Sequence, residues 1–172
     1  NRAMKIRVLP LLLMLVAPLA AHAVIPWPGA PPCDGTLQAC VTAAAVGETI
    51  EVSASTPIAE SITIEKSLTL VGNGSPSPPH IAAGNYVMAL SPASGDHQIR
   101  IENFIVDDGG IGIAHGGTGT LDAEVVGNSL YATGYEAIRV WTGTGGSPRG
   151  PLVFDLAFND IYMPNGSGER YG

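Results

Sequence analysis

The stretch LDAEVVGNSLY, Leu121 to Tyr131, returns as LVFDLAFNDIY at Leu152 to Tyr162. Aligned without a gap, Leu121 falls on Leu152, Glu124 on Asp155, Asn128 on Asn159 and Tyr131 on Tyr162. Apolar residues at 121, 123, 125 and at 152, 154, 156 alternate with others, the period of a strand with one buried face. An offset of 31 residues is too long for a hairpin and lies in the range of coil-by-coil repeats. The repeat therefore constrains architecture before it says anything about chemistry.

The start of the chain reads as a secretory signal over residues 1–23. Lys5 and Arg7 give the positive end, Val8 to Ala17 the apolar centre and Ala21-His22-Ala23 a small-x-small cleavage site. That centre is about half the length needed to cross a bilayer, so no membrane span is expected. The chain opens on Asn1, with Met4 the expected start of translation, and the mature protein is expected from Val24. Cleavage removes Arg2, Lys5 and Arg7, leaving five cations against fifteen carboxylates, a net charge near −10. Nucleic acid and anionic membranes need a basic face and are not expected partners. Polyuronates would be repelled unless a cation bridged them. Export to an extracellular or periplasmic space favours a disulfide between Cys33 and Cys40 over two free thiols.

VIPWPGAPP, Val24 to Pro32, has four prolines in nine residues. Residues 24–35 are expected as an extended arm outside the core. Asp34 or Thr36 can cap a helix from about Leu37 to Ala45, in which Leu37, Cys40, Val41 and Ala44 share one face. Gly47 would end it. A short amphipathic helix ahead of an array of strands suits a cap over the open end of a solenoid. Beyond Glu48 the period changes to alternation: Ile50/Val52, Ile62/Ile64, Leu68/Leu70, Ile99/Ile101, Ile111/Ile113 and Ile138/Val140.

The run GTLQACVTAAAVGETIEVSAS…ESITIEKSLTLVG, Gly35 to Gly72, resembles the N-terminal segment of secreted, pectin-lyase-like, right-handed parallel β-helix proteins. In them a capping helix leads into a Gly-x-Thr-Ile turn, an I-x-I strand and a K-S-L-T-L-x-G strand. The resemblance implies an all-β, right-handed parallel β-helix over residues 36–172 with a short N-terminal capping helix. It is nearly silent on function, because the fold hosts lyases, hydrolases, adhesins and inert proteins. Gly72 to Gly84 and Thr142 to Pro151 are rich in strand breakers and read as loops. With no second cap in sight, a C-terminal truncation is expected.

Chemistry-bearing residues fall into a few groups. Asn103, Asn128 and Asn159 are expected at a turn of successive coils, stacked as an amide ladder. Arg100, Glu124 and Asp155, with Thr69 below, are expected in one outward column. That column is either a solvated charge ladder or, through Glu124 and Asp155, a Ca²⁺ site for an acidic sugar. Tyr131 and Tyr162 are expected to stack beside the Asn turn as a sugar platform or a stabilising pair, and Trp141 is a further aromatic candidate. Asp107-Asp108 and His115-Gly116 invite comparison with polygalacturonases. The spacing is too short for successive coils, Ala114 replaces a glycine, and an Asp-Asp-Gly-Gly turn explains the residues. Asn73-Gly74-Ser75 and Asn165-Gly166-Ser167 match a glycosylation pattern that is equally a turn.

Two function classes follow. One is a non-catalytic module binding a polysaccharide or cell-surface glycan. The other is a polysaccharide lyase or glycoside hydrolase acting on acidic polysaccharide.

Overall fold

A computed structural model of the chain describes residues 23–74, 76–83, 86–90, 92, 94–131, 136–142 and 150–162. Most of the stretch expected to be a signal, residues 1–22, the core of the 142–151 loop and the Asn165 motif lie outside them.

Strand β1 (Val24–Trp27) precedes helix α1 (Leu37–Ala43). Then come β2 (Thr49–Val52), β3 (Ile62–Ile64), β4 (Leu68–Gly72), β5 (His80–Ile81), β6 (Tyr86–Leu90), β7 (His97–Glu102) and β8 (Ile105–Asp107). The remaining strands are β9 (Gly110–His115), β10 (Leu121–Val126), β11 (Ser129–Tyr131), β12 (Ile138–Thr142), β13 (Leu152–Ala157) and β14 (Asp160–Tyr162). They form three unclosed sheets, in the orders β1-β2-β4-β7-β10-β13, β14-β11-β8-β5 and β12-β9-β6-β3. Every pairing is parallel. From β4 onward the chain visits the three sheets in turn, so the architecture is a β-helix-like solenoid with a helix beside its first coil.

Alternation in sequence becomes stacking in space. Ile50, Leu70, Ile101 and Val125 form one inward column of the first sheet. Ile81, Val106 and Leu130 form that of the second, and Ile62, Met88 and Ile111 one of the third. All ten are at most 1 % exposed. The 31-residue repeat pairs Leu121 with Leu152 through Val126 with Ala157, and Tyr131 with Tyr162. Leu156 and Ile161, expected in the continuous core, are instead 41 % and 52 % exposed. They face inward on β13 and β14, over which no further strand stacks among the described residues.

Two expectations about the chain path are corrected. The proline-rich stretch is extended but is no arm: β1 pairs with β2 from Val24↔Thr49 to Trp27↔Val52, and Trp27 and Cys33 are buried. Pro26 is tolerated because β1 is an edge strand, where a missing N–H breaks no ladder. The Asn ladder is also shorter than expected. The register pairs Val106 with Leu130 and Ile105 with Ser129, which puts Asn103 out of line with Asn128. Phe104 therefore stands below Asn128 and Asn159, and its N–H donates to Asn128 Oδ1 at 3.0 Å. Asn128 Nδ2 donates to Ile101 O, Val126 O and Asn159 Oδ1 at 3.1–3.2 Å. Asn103 sits one position earlier, level with Gly127 and Phe158, and donates to Gly72 O at 2.6 Å. All three of those corner residues have positive φ, 60°, 65° and 57°. Asn and Gly accept that conformation; a Phe does so at a cost.

At the N-terminal end Thr36 Oγ1 caps α1 by accepting from Ala39 N at 3.1 Å. Leu37, Cys40, Val41 and Ala44 are buried, as the spacing requires. Glu60 accepts from Leu37 N and Gln38 N at 3.1 and 3.0 Å, so a carboxylate from the following coil covers two otherwise orphaned donors. A disulfide joins Cys33 to Cys40, tying the segment after β1 to the helix.

Leu130→Ala is expected to lower stability by about 2–5 kcal/mol and Ile161→Ala by less than about 1 kcal/mol, since only the first removes a filled core position. Denaturant midpoints compare them directly, and equal losses would contradict the stacking described here. Phe158→Gly should raise stability by about 1 kcal/mol, because it relieves a left-handed backbone at a side chain that is 90 % exposed. A lowered thermal midpoint for that variant would show that Phe158 makes a contact worth more than its strain.

Candidate functional site

A solenoid offers its outward side chains on three faces, one per sheet. On the first, the register sets Thr69, Arg100, Glu124 and Asp155 side by side, as the sequence column predicts. Arg100 Nη1 donates to Glu124 Oε2, and its Nε donates to Glu102 Oε2 at 3.0 Å. These bonds, that to Glu102 before that to Glu124, push the guanidinium above its ordinary range. Thr69, Gln98, Arg100, Asp122 and Glu124 line a hollow of about 180 Å³. Glu124 and Asp155 do stand on adjacent strands, but Arg100 already engages the first. Among the described residues no group of three or more His, Cys, Asp or Glu side chains is arranged to hold a metal ion.

The second sheet carries two outward columns. His80, Ile105, Ser129 and Asp160 make one; Asp107, Tyr131 and Tyr162 make the other. The tyrosine rings stack with centroids 4.7 Å apart and planes 8° from parallel. The stack covers one face of each ring, and both tyrosines remain exposed. Asp107 turns to the neighbouring column, where its Oδ2 meets His80 Nδ1 at 2.9 Å. Asp108, at φ 55°, makes the turn into β9, whereas His115 is buried on the third sheet with its Nε2 3.1 Å from Gly150 O. The Asp-Asp and His groups thus belong to different sheets.

Trp141 is on the third face, away from Tyr131 and Tyr162. Its register partner is Ala114, and Arg139 beside it pairs with Gly112. A Cβ on Gly112 would stand 2.9 Å from Trp141 Cη2 and Cζ3 and 3.4 Å from Tyr86 Cδ1. Two aromatic rings therefore converge over bare backbone, which only glycine leaves open. Their centroids are 5.7 Å apart at 39°. Arg139 Cζ lies 5.7 Å from the Trp141 ring centroid, within cation–π range. Arg139 Nη1 donates to Tyr86 Oη at 3.0 Å, and Tyr86 Oη donates to Glu136 Oε2 at 3.2 Å. The Tyr86 bond holds Arg139 above its ordinary range. Glu136 is held below the carboxylate range by its own backbone N–H first and by Tyr86 second.

Sequence reasoning found Trp141 but missed Tyr86, Glu136, Arg139 and Gly112. The available signal was GIGI at 110–113: its isoleucines were read as inward, and its glycines mark an outer face left bare for something to lie on. His80 gave no signal, because a loop of its own separates it from Asp107's coil. Compared with known proteins, the chain finds no counterpart: no protein-family model, no curated protein and no solved structure matches it.

Because its folded pKa is depressed, Glu136 should remain charged where an ordinary Glu has begun to protonate, and the Tyr86 link should be lost only as pH falls through that lower value. Carbon-detected NMR titration of the Glu136 carboxyl reads this. Tyr86→Phe should move the titration part of the way back up, the backbone contribution remaining. An unshifted titration in both proteins would remove the hydrogen-bonded chain from the solution structure.

Proposed function

We propose that this protein is a secreted, non-catalytic glycan-binding module on a right-handed, pectin-lyase-like parallel β-helix, with Trp141 and its neighbours as the principal contact. The observation that carries the reading is the indole laid over Gly112. Sugar recognition needs an apolar plate for the C–H face of a ring and polar groups at its margin for the hydroxyls. Trp141 and Tyr86 provide the plate, and Arg139 and Glu136, tied together through Tyr86, provide fixed donors and acceptors. Building both on strands rather than on a loop limits the entropy lost on binding. Tyr131 and Tyr162 have a lesser part in this reading, as a ladder whose edges extend the contact surface on another face.

The handedness and the family rest on the Gly35 to Gly72 motif, together with the three parallel sheets. Secretion rests on the signal-like start and is supported by the Cys33–Cys40 bridge. Among the described residues no helix is long and apolar enough to cross a membrane.

The alternative, a lyase or hydrolase acting on acidic polysaccharide with Ca²⁺, draws on the adjacent positions of Glu124 and Asp155. Arg100 works against it, since a guanidinium bonded to Glu124 competes with a cation for the same oxygen. In this reading Ca²⁺ reaches the column only when a ligand displaces Arg100.

A glycan array probed with the secreted protein, followed by calorimetry on the best ligand, tests the proposal. Trp141→Ala should weaken binding about tenfold, roughly 1.4 kcal/mol. Gly112→Ala should also weaken it by displacing the indole, and Tyr131→Ala should have little effect. A secreted protein that binds no glycan, or a Trp141→Ala variant that binds as well as the parent, would sink the reading.

A further inference from the structure

A second, larger hollow than that beside Arg100 lies elsewhere, where the segments after β2 and β4 face each other. It encloses about 510 Å³, within the range of small-ligand sites. Its walls are held from several sides. Ser53 Oγ donates to Asn73 O at 2.9 Å and Asn73 N donates to Val52 O at 2.7 Å. Asn73 Nδ2 is bonded to Glu51, and a Cβ on Gly74 would stand 1.9 Å from Ser77 O, so the second wall folds tightly on itself. The lining mixes the hydroxyl-bearing Ser55, Thr56 and Ser77 with Pro57 and Pro78, and it includes His80.

His80 is the member of this lining with a fixed polarity. A carboxylate only accepts, so Asp107 at 2.9 Å from Nδ1 places the proton of a neutral imidazole on Nδ1. Nε2 is left as a bare acceptor, and it makes no hydrogen bond to the described protein. No Ser or Thr hydroxyl is bonded to it, so the arrangement suits holding a ligand rather than activating a nucleophile. No Lys or Arg lines the cleft. Asp107 lies behind the imidazole, and the mature chain is strongly acidic. An anionic ligand would meet repulsion without a counter-charge.

We infer that this cleft binds one uncharged pyranose unit, the end or a branch of a neutral glycan, with a sugar hydroxyl donating to His80 Nε2. The prolines face the C–H surface of the ring, and the serine and threonine hydroxyls exchange hydrogen bonds with the rest. The inference adds a site to the glycan-binding reading and involves none of the Trp141 cluster, so either can fail without the other.

NMR titration of the folded protein, observing the His80 imidazole nitrogens, tests it with the methyl pyranosides of glucose, galactose, mannose and xylose and with methyl glucuronide. At least one neutral glycoside should shift His80 saturably, with the glucuronide about fivefold weaker or worse. The nitrogen shifts of the free protein should put the proton on Nδ1. Asp107→Asn offers an amide N–H to Nδ1, moves the proton to Nε2 and turns the acceptor into a donor; binding should fall about tenfold. Trp141→Ala should leave it unchanged. The inference is overturned if no neutral glycoside shifts His80, if the glucuronide binds as well, or if the free protein already carries its proton on Nε2. Loss of array binding in Trp141→Ala alongside a silent His80 would retain the proposed function and remove only this site.

Discussion

Parallel register at the corner after the first sheet is the constraint on which the other contacts depend. Each coil must place the same side of its strands inward, and a slip of one residue would reverse every face. Asn128 fixes that register. Its side chain joins Phe104 N, Ile101 O and Asn159 Oδ1, so one amide touches the coils on both sides. It is buried to 1 % exposure, and removing it would strand donors and acceptors that water cannot reach. The left-handed residue just before it turns the chain from one sheet to the next. Gly127 does this without strain, Asn103 with little, and Phe158 with more.

The outward surface inherits its pattern from this inner register. Arg100 meets Glu124 because Ile99 and Ile101 stack below Ala123 and Val125, and Tyr131 meets Tyr162 because Leu130 stacks below Ile161. The few described cations are each committed differently. Lys66 Nζ donates to Thr42 O at 2.8 Å and to Ala44 O, covering carbonyls at the end of α1. Arg100 is held between two glutamates. Arg139 alone of these has a phenol and an indole for neighbours and forms no ion pair within 4.0 Å with a described carboxylate. A positive charge placed against aromatic rings on an acidic protein is what distinguishes the third face from the first.

Much of the interior was legible because burial leaves a period. The 121/152 repeat gave the strand pairing residue for residue, and the Leu37-Cys40-Val41 spacing gave the buried face of the helix. The outer face was less legible because its neighbours depend on how many residues each coil uses. Leu70 to Ile101 spans 31 residues, Ile101 to Val125 spans 24, and Val125 to Leu156 spans 31 again. His80 and Asp107 meet only because the loop before β5 absorbs the difference. Asn103 and Asn128 share a residue type but not a register position, since the strands place Phe104 beside Asn128. The prolines of β1 misled because proline argues against a central strand, whereas β1 is an edge.

Glycine at 112 shows how a fold of this kind can reshape its outer face without altering its core. Ile111 and Ile113 keep the inward column filled, so the strand's contribution to stability is carried entirely by the other face. The outward position between them is free to lose its side chain. Once it does, the ring of Trp141 on the next strand can settle against backbone, and Tyr86 on the preceding strand can approach the same space. The rings are then positioned by sheet geometry, with the Arg139–Tyr86–Glu136 chain closing one side. A longer residue at 112 would lift the indole away from the backbone while leaving the buried isoleucines in place. Core and outer face would then separate in measurement: the core would still melt cooperatively, and the outer face would no longer present its aromatic plate.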